Sequence, residues 1–132
     1  MNTWQLDTNV LLRFLTQDDP AKAKEVDTFF LKAEQGKVRL EISEPVFVET
    51  AVSLRNYFKF PRERVTELLK TLISRSWLQI ENHDIVSQAL SYYQSHTLDF
   101  VDCLIFIRAQ KYNQKIFTFD AKLNEIVKKL TN

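Results

Sequence analysis

The chain has 132 residues, 45% hydrophobic and 27% charged, so it is long enough to bury a core and ordinary in composition for a globular protein. Its formal net charge of +1 gives no overall positive potential that would attract a polyanion, although a local basic groove is still compatible with the sequence. One glycine and three prolines are too few for an all-β protein rich in tight turns, and one cysteine excludes an intrachain disulfide framework.

Short apolar segments alternate with amphipathic ones along the chain. The predicted elements, in chain order, are strand 3–6, helix 8–16, helix 20–36, strand 38–42, helix 44–58, helix 61–74, strand 77–80, helix 83–96, helix 99–113, strand 115–119 and helix 121–130. Pro20 and Gly36 are typical of a helix start and a helix end, and Ser43 is typical of an N-cap.

Strands of about five residues that alternate with helices predict an α/β fold, a single domain over 1–132. In this fold class a central parallel sheet of four short strands is covered by helices on both faces. Ligands bind such open sheets outside the carboxyl ends of the strands. Asp7 and Asp120 each follow a predicted strand, so both are expected at that end of the sheet.

The remaining signals concern cellular location. The lone cysteine, Cys103, lies in an apolar stretch, so we expect it in the core of a protein from a reducing compartment. The N-terminus lacks a basic region followed by a long apolar run, and charged residues interrupt every apolar stretch. These features predict a cytoplasmic protein without a membrane segment.

The aspartates have a structural interpretation as helix caps. Asp7, Asp99 and Asp120 each precede a predicted helix, and Asp102 lies in the first turn of the helix after Asp99. A carboxylate there accepts backbone N–H groups and faces the positive end of the helix dipole. For each aspartate taken singly, capping is the commoner role.

Glu49 does not fit a capping role, because it lies in the middle of the predicted helix 44–58. Apolar residues surround most of the circumference of that helix, as in a buried helix. Glu49 therefore lies either on a narrow exposed strip with Ser53 and Asn56, or in the interior, where it needs a cation.

The acidic residues are more informative together. In a parallel sheet, Asp7, Asp120, the pair Asp99 and Asp102, and Glu49 can all converge at one end. Several carboxylates that close would repel one another unless a cation neutralised them. Mg²⁺ and Mn²⁺ prefer such oxygen ligands, so the pattern indicates metal-assisted phosphoryl chemistry.

Four segments resemble, in order, the acidic motifs of PIN-domain ribonucleases, most closely the VapC-type toxins of type II toxin–antitoxin pairs. The segments are "LDTNVLLRFL" with Asp7, "SEPVFVETAVSLRNYF" with Glu49, "LDFVDCLIFIRAQ" with Asp102, and "IFTFDAKL" with Asp120. Together they span nearly the whole chain, which makes the resemblance fairly specific.

The resemblance implies a three-layer α/β/α sandwich and a Mg²⁺- or Mn²⁺-dependent endoribonuclease. It implies Asp7 and Asp102 as direct metal ligands, with Glu49 and Asp120 completing a catalytic acidic pocket that positions metal-bound water. Asp99 would either cap its helix or contact the metal ligands without binding the metal itself. Asn9 and Thr118 are candidates to hydrogen-bond the carboxylates. An RNA substrate, a cognate antitoxin that blocks the site and a homodimer are the implied partners.

The chain departs from the family pattern at its end. Members of the family often continue into a short terminal strand, whereas this sequence stops at Thr131–Asn132 after the last predicted helix. The sheet is therefore expected to have four strands, or five if a terminal strand forms.

The sequence offers several surfaces for RNA. Basic candidates are Arg13, the stretch with Lys59, Arg62 and Arg64, and Arg108 with Lys111, although solvated surface is the commoner role of each. Tyr57, Phe58 and Phe60 beside the second stretch are candidates to stack on bases, or are core or dimer contacts. The helix pair 44–74 is a candidate groove for an antitoxin segment.

Two other functions are compatible with the sequence. A non-catalytic PIN scaffold would bind RNA or a protein partner without cleaving anything. A haloacid-dehalogenase-type phosphatase also begins with an aspartate after a strand, but it requires an acid two residues later, where this chain has Asn9.

Overall fold

The structure is a computed structural model that describes residues 1–131, and the chain divides into two compact units. The first unit is Met1–His83, and the second begins at Asp84. The predicted α/β class is confirmed by a parallel sheet and the helices that connect its strands. The single domain over 1–132 stays a prediction.

The first unit carries the sheet. Its elements are β1 (Thr3–Gln5), α1 (Thr8–Thr16), α2 (Pro20–Glu34), β2 (Arg39–Ile42), α3 (Glu44–Asn56), α4 (Arg62–Ile73) and β3 (Leu78–Ile80). Strand β2 is central, with Leu40 opposite Trp4 of β1 and Leu78 of β3. Because all three strands are parallel, their carboxyl ends lie at one edge of the sheet, and Asp7 follows β1 at that edge.

Helix α2 ends as its sequence predicts. Gly36 has a φ of 77°, a left-handed conformation that costs a residue with a Cβ more than it costs glycine. The N–H of Gly36 donates to Ala33 O at 3.0 Å, and the N–H of Lys37 donates to Lys32 O at 2.9 Å. These two bonds satisfy carbonyls at the end of the helix and turn the chain towards β2.

The start of α3 differs in detail from the prediction. Ser43 occupies the N-cap position but makes no side-chain cap bond. Glu81, which follows β3, supplies the acceptor instead, because its Oε1 accepts the N–H of Glu44 at 3.0 Å. The carboxyl ends of β2 and β3 are thereby joined through a side chain.

The second unit is helical over the described residues. Its helices are α5 (His83–Ser95, which begins at the boundary), α6 (Phe100–Lys111) and α7 (Ala121–Thr131). The fourth strand predicted at 115–119 is not observed, because residues 114–120 form neither helix nor strand. The described part of this unit has no strand with which the segment can pair, and the side chains of Phe117 and Phe119 are 90% and 93% exposed. The alternative of a terminal fifth strand concerns the chain after α7, which lies outside the described residues.

Both units bury apolar side chains. In the first unit the largest fully buried residues are Leu11, Leu40, Ile42, Phe47, Leu54, Leu69 and Leu72. In the second, Cys103 is buried as predicted, with its thiol 3.8 Å from Leu98 O. Within residues 1–131, no helix is both long and apolar enough to cross a bilayer.

Candidate active site

Asp7 lies between β1 and α1, where its side chain is exposed but hydrogen-bonded to the start of α1. Leu6 extends the parallel ladder by donating its N–H to Glu41 O at 3.0 Å, and the chain then turns into α1. Oδ1 of Asp7 accepts the N–H of Val10 at 2.9 Å and so caps the helix. This bond fixes the side chain through one oxygen and leaves Oδ2 for another ligand.

A cavity of about 500 Å³ lies beside Asp7 within the first unit. Its lining includes Asp7, Asn9, Arg13, Trp4 and Phe29. Oδ1 of Asn9 accepts a hydrogen bond from Nε of Arg13 at 3.1 Å, and Arg13 also pairs with Asp18. Asn9 therefore contacts a cation of its own helix, rather than a carboxylate as predicted.

Glu49 lies in the middle of α3 and is exposed. Of the two alternatives, the structure shows the exposed strip, on which Asn56 is also exposed and Ser53 partly so. The apolar residues around α3 are unequally buried, since Phe47 is fully buried whereas Val52 is 38% exposed. Burial therefore gives no reason for Glu49 to require a cation, and its catalytic role stays a prediction.

The second unit brings together three of the acidic residues. Asp102 is half-buried in the first turn of α6, after Asp99 at the N-cap position. A cavity of about 260 Å³ is lined by Asp99, Asp102, Asp120 and Lys122, among others. The predicted approach of Asp120 to the Asp99–Asp102 pair is therefore observed within this unit.

The electrostatics of this cavity centre on Asp102. Burial raises the pKa of its carboxyl, and the negative charges of Asp120 and Asp99 raise it further. Asp99 makes no side-chain cap bond, so the cap role predicted for it is not observed in its side chain. Ionised Asp102 is thus held where a nearby cation would stabilise it.

Asp120 is positioned by the start of α7. Its Oδ1 accepts the N–H of Leu123 at 2.8 Å, which is the predicted cap, and Leu123 itself is fully buried. Thr118 also positions Asp120, but it does so through the backbone, because its hydroxyl oxygen accepts the N–H of Asp120 at 3.0 Å. The carboxylate of Asp120 is therefore held by the helix rather than by Thr118.

Comparison with known proteins identifies the family. The family model of the PIN domain matches residues 5–129. The chain belongs to the PIN domain family. It is also similar to a VapC ribonuclease of Aquifex aeolicus (strain VF5), with 27% identity over 128 residues that cover 96% of this chain and 94% of that protein. The resemblance inferred from the four acidic motifs, to VapC-type PIN proteins, is confirmed.

The acidic residues of the candidate site differ in how well their geometry and their chemistry suit a divalent cation. Among residues 1–131, no group of three or more histidine, cysteine, aspartate or glutamate side chains has the geometry to hold a metal ion. The chemistry of the donors nevertheless fits Mg²⁺ or Mn²⁺, because the cavity of the second unit offers carboxylate oxygens.

Three of the basic side chains that we predicted for RNA are paired with carboxylates in the structure. Arg13 pairs with Asp18, Lys111 pairs with Asp84, and Arg64 lies 3.5 Å from Glu67. One cation was missed by the sequence analysis: Lys122 lines the acidic cavity of the second unit. Its signal was its position two residues after Asp120, in the first turn of α7.

Proposed function

We propose that this PIN-domain protein is a Mg²⁺- or Mn²⁺-dependent endoribonuclease, the toxin of a toxin–antitoxin pair. The observation that carries the proposal is the similarity to a VapC ribonuclease over 96% of the chain. The grouping of Asp99, Asp102 and Asp120 around one cavity supports it, because carboxylate oxygens are the ligands that Mg²⁺ and Mn²⁺ prefer.

In the proposed site, Asp7 and Asp102 hold the metal, and Glu49 and Asp120 complete the pocket. The bound ion would supply a water of lowered pKa and charge stabilisation at the leaving oxygen. The chain itself supplies rigidity. Oδ1 of Asp7 and Oδ1 of Asp120 are each fixed by a backbone N–H, so each side chain presents its second oxygen without losing much rotamer freedom.

The catalytic proposal is tested with Asp102→Asn and a matched control, Asp84→Asn. Both residues lie in the first turn of a helix in the second unit, but Asp84 pairs with Lys111 away from the acid cavity. Mg²⁺-dependent cleavage of a mixture of cellular RNAs should be lost in Asp102→Asn and retained in Asp84→Asn. Equal cleavage by Asp102→Asn and the parent would show that the site is assigned wrongly.

The toxin role is tested in cells. Expression of the parent should arrest growth, and Asp102→Asn should relieve the arrest. A small protein encoded beside this gene should relieve it too and should co-purify with the chain as its cognate antitoxin. A cytoplasmic location and a homodimer belong to the same proposal, and the measured mass in solution tests the latter.

A non-catalytic PIN scaffold is the second candidate. It is favoured by the observation that the described residues contain no preformed group of three or more metal-binding side chains. Calorimetric titration with Mn²⁺ separates the candidates: the nuclease should give binding heat that Asp102→Asn removes, and the scaffold should give none.

A further inference from the structure

We propose that the loop between α3 and α4, residues 57–61, is a stacking platform for an unpaired base of single-stranded RNA, with Tyr57 as the stacking residue. The proposal rests on the nuclease function above and adds a residue that positions the RNA. Below, these five residues are called the aromatic loop.

The aromatic loop has three aromatic rings, of which one is exposed to solvent and two are partly buried. Tyr57 is 80% exposed, whereas Phe58 and Phe60 are partly buried. The ring of Tyr57 meets that of Phe58 edge to face, at 5.2 Å between centroids, and Phe58 and Phe60 stack at 5.6 Å with 29° between their planes. The rings of Phe58 and Phe60 therefore support the exposed ring of Tyr57, which itself contributes little to the core.

The backbone of the aromatic loop is held in place from α3. The N–H groups of Tyr57 and Phe58 donate to Ser53 O at 2.9 and 3.0 Å, and the N–H of Phe60 donates to Leu54 O at 3.1 Å. Lys59 adopts a left-handed φ of 58°, a conformation that these bonds must maintain against its steric cost. A loop ordered before binding loses little entropy when it binds.

The side chain of Arg55 adds a further constraint, since its Nη1 donates to Phe60 O at 3.1 Å. This bond places a guanidinium beside the loop. Residues 55–64 carry four cationic side chains and one acidic one, although the whole chain has a net charge of only +1. Aromatic faces together with local positive charge are the features with which proteins bind single-stranded nucleic acid.

The aromatic loop directly follows the helix that carries Glu49. Along α3, Tyr57 follows Glu49 by eight residues, or about 12 Å of helix. One RNA strand could therefore contact both residues.

Binding is measured with the full-length chain in EDTA, so that the RNA stays intact. The probe is a fluorescein-labelled single-stranded RNA of mixed sequence, compared with the same sequence as a duplex. We expect Tyr57→Ala to weaken single-strand binding by roughly tenfold or more, and Tyr57→Phe, which keeps the ring, to bind like the parent. The matched control is Tyr112→Ala, because Tyr112 is also exposed, at 53%, but lies in the second unit. It should not change binding.

Salt dependence tests the charge contribution separately. If Lys59 neutralises one phosphate, Lys59→Ala should reduce the slope of log K against log salt by about 0.7. An unchanged slope would remove Lys59 from the platform, and unchanged affinity in Tyr57→Ala would overturn the proposal. A change in the oligomeric state of Tyr57→Ala, measured as the mass of the particle in solution, would also overturn it, because the loop would then be a contact between protein chains.

Cleavage by the parent in Mg²⁺ distinguishes this proposal from the one on which it rests. If the parent cleaves RNA but Tyr57→Ala binds RNA like the parent, the platform is wrong and the nuclease stands. If the parent cleaves no RNA but Tyr57→Ala still loses single-strand affinity, the nuclease is wrong and the platform stands.

Discussion

Asp7 has two roles in these proposals, and substitution can separate them. Oδ1 of Asp7 accepts the N–H of Val10 at 2.9 Å, which is a structural bond, whereas the charge of the carboxylate is the proposed catalytic property. Asp7→Asn removes the charge but keeps a side-chain oxygen for the cap. Asp7→Ala removes both.

The magnitudes follow from this single exposed bond. Replacing a capping aspartate by alanine costs about 1 kcal/mol of folding stability, whereas asparagine caps about as well as aspartate. For a chain of this length, 1 kcal/mol lowers the melting temperature by about 3 to 5 °C. We therefore expect Asp7→Ala to melt a few degrees below the parent and Asp7→Asn to melt near it, with RNA cleavage lost in both.

Asp19 provides the matched control. It is the N-cap of α2, where its Oδ1 accepts the N–H of Lys22 at 3.2 Å, but it is not part of the proposed site. Asp19→Ala should lose similar stability and keep its cleavage activity. The assays are thermal melting by circular dichroism and Mg²⁺-dependent cleavage of RNA. If Asp7→Asn cleaved RNA like the parent, Asp7 would be a cap and no more.

Three further outcomes are expected. Saturating Mg²⁺ should raise the melting temperature of the parent by an amount equivalent to about 2.7 kcal/mol at 100 times its dissociation constant, and Asp102→Asn should abolish this rise. Leu69→Ala should destabilise the chain by about 2 to 5 kcal/mol in urea melts, because Leu69 is fully buried. The pKa of Asp84 is lowered, mainly by its hydrogen bond with Lys111, so the pair stabilises the fold above the ordinary carboxyl pKa and loses this effect as the pH falls through the lowered value. Lys111→Ala should therefore cause a small loss of stability at neutral pH that vanishes in acid.

Much of the fold could be predicted because its signals are local. The end of α2 at Gly36 depends on one residue that tolerates a left-handed φ, and the start of α2 depends on Pro20 directly after the capping residue Asp19. The alternation of strands and helices in residues 1–83 depends on hydrophobic periodicity. These features need no knowledge of distant contacts.

Glu49 shows the limit of a helical wheel. The wheel counts apolar residues around α3 and predicts a buried helix, but Val52 is 38% exposed and Glu49 is exposed beside it. Apolar atoms make up much of any protein surface, so apolar residues on several faces do not establish that a helix is buried.

Segment 115–119 shows a different limit. Its β-branched and aromatic residues have high strand propensity, but that propensity describes how side chains pack on a sheet that already exists. Over the described residues, its own unit has no strand with which it can pair. Strand propensity alone therefore predicted a strand at 115–119 that the structure does not contain.

The sequence presented capping and catalysis as alternatives for each aspartate, and the structure indicates that they are compatible. Asp7 and Asp120 each give one oxygen to a helix N-terminus and keep the other. An aspartate held in this way cannot rotate freely, which is what a metal ligand requires. Asp102 does not occupy a cap position, and it is the carboxyl whose pKa is raised by burial and by its neighbours. The helix ends therefore fix the side chains of Asp7 and Asp120, whereas Asp102 is distinguished by its burial and its acidic neighbours.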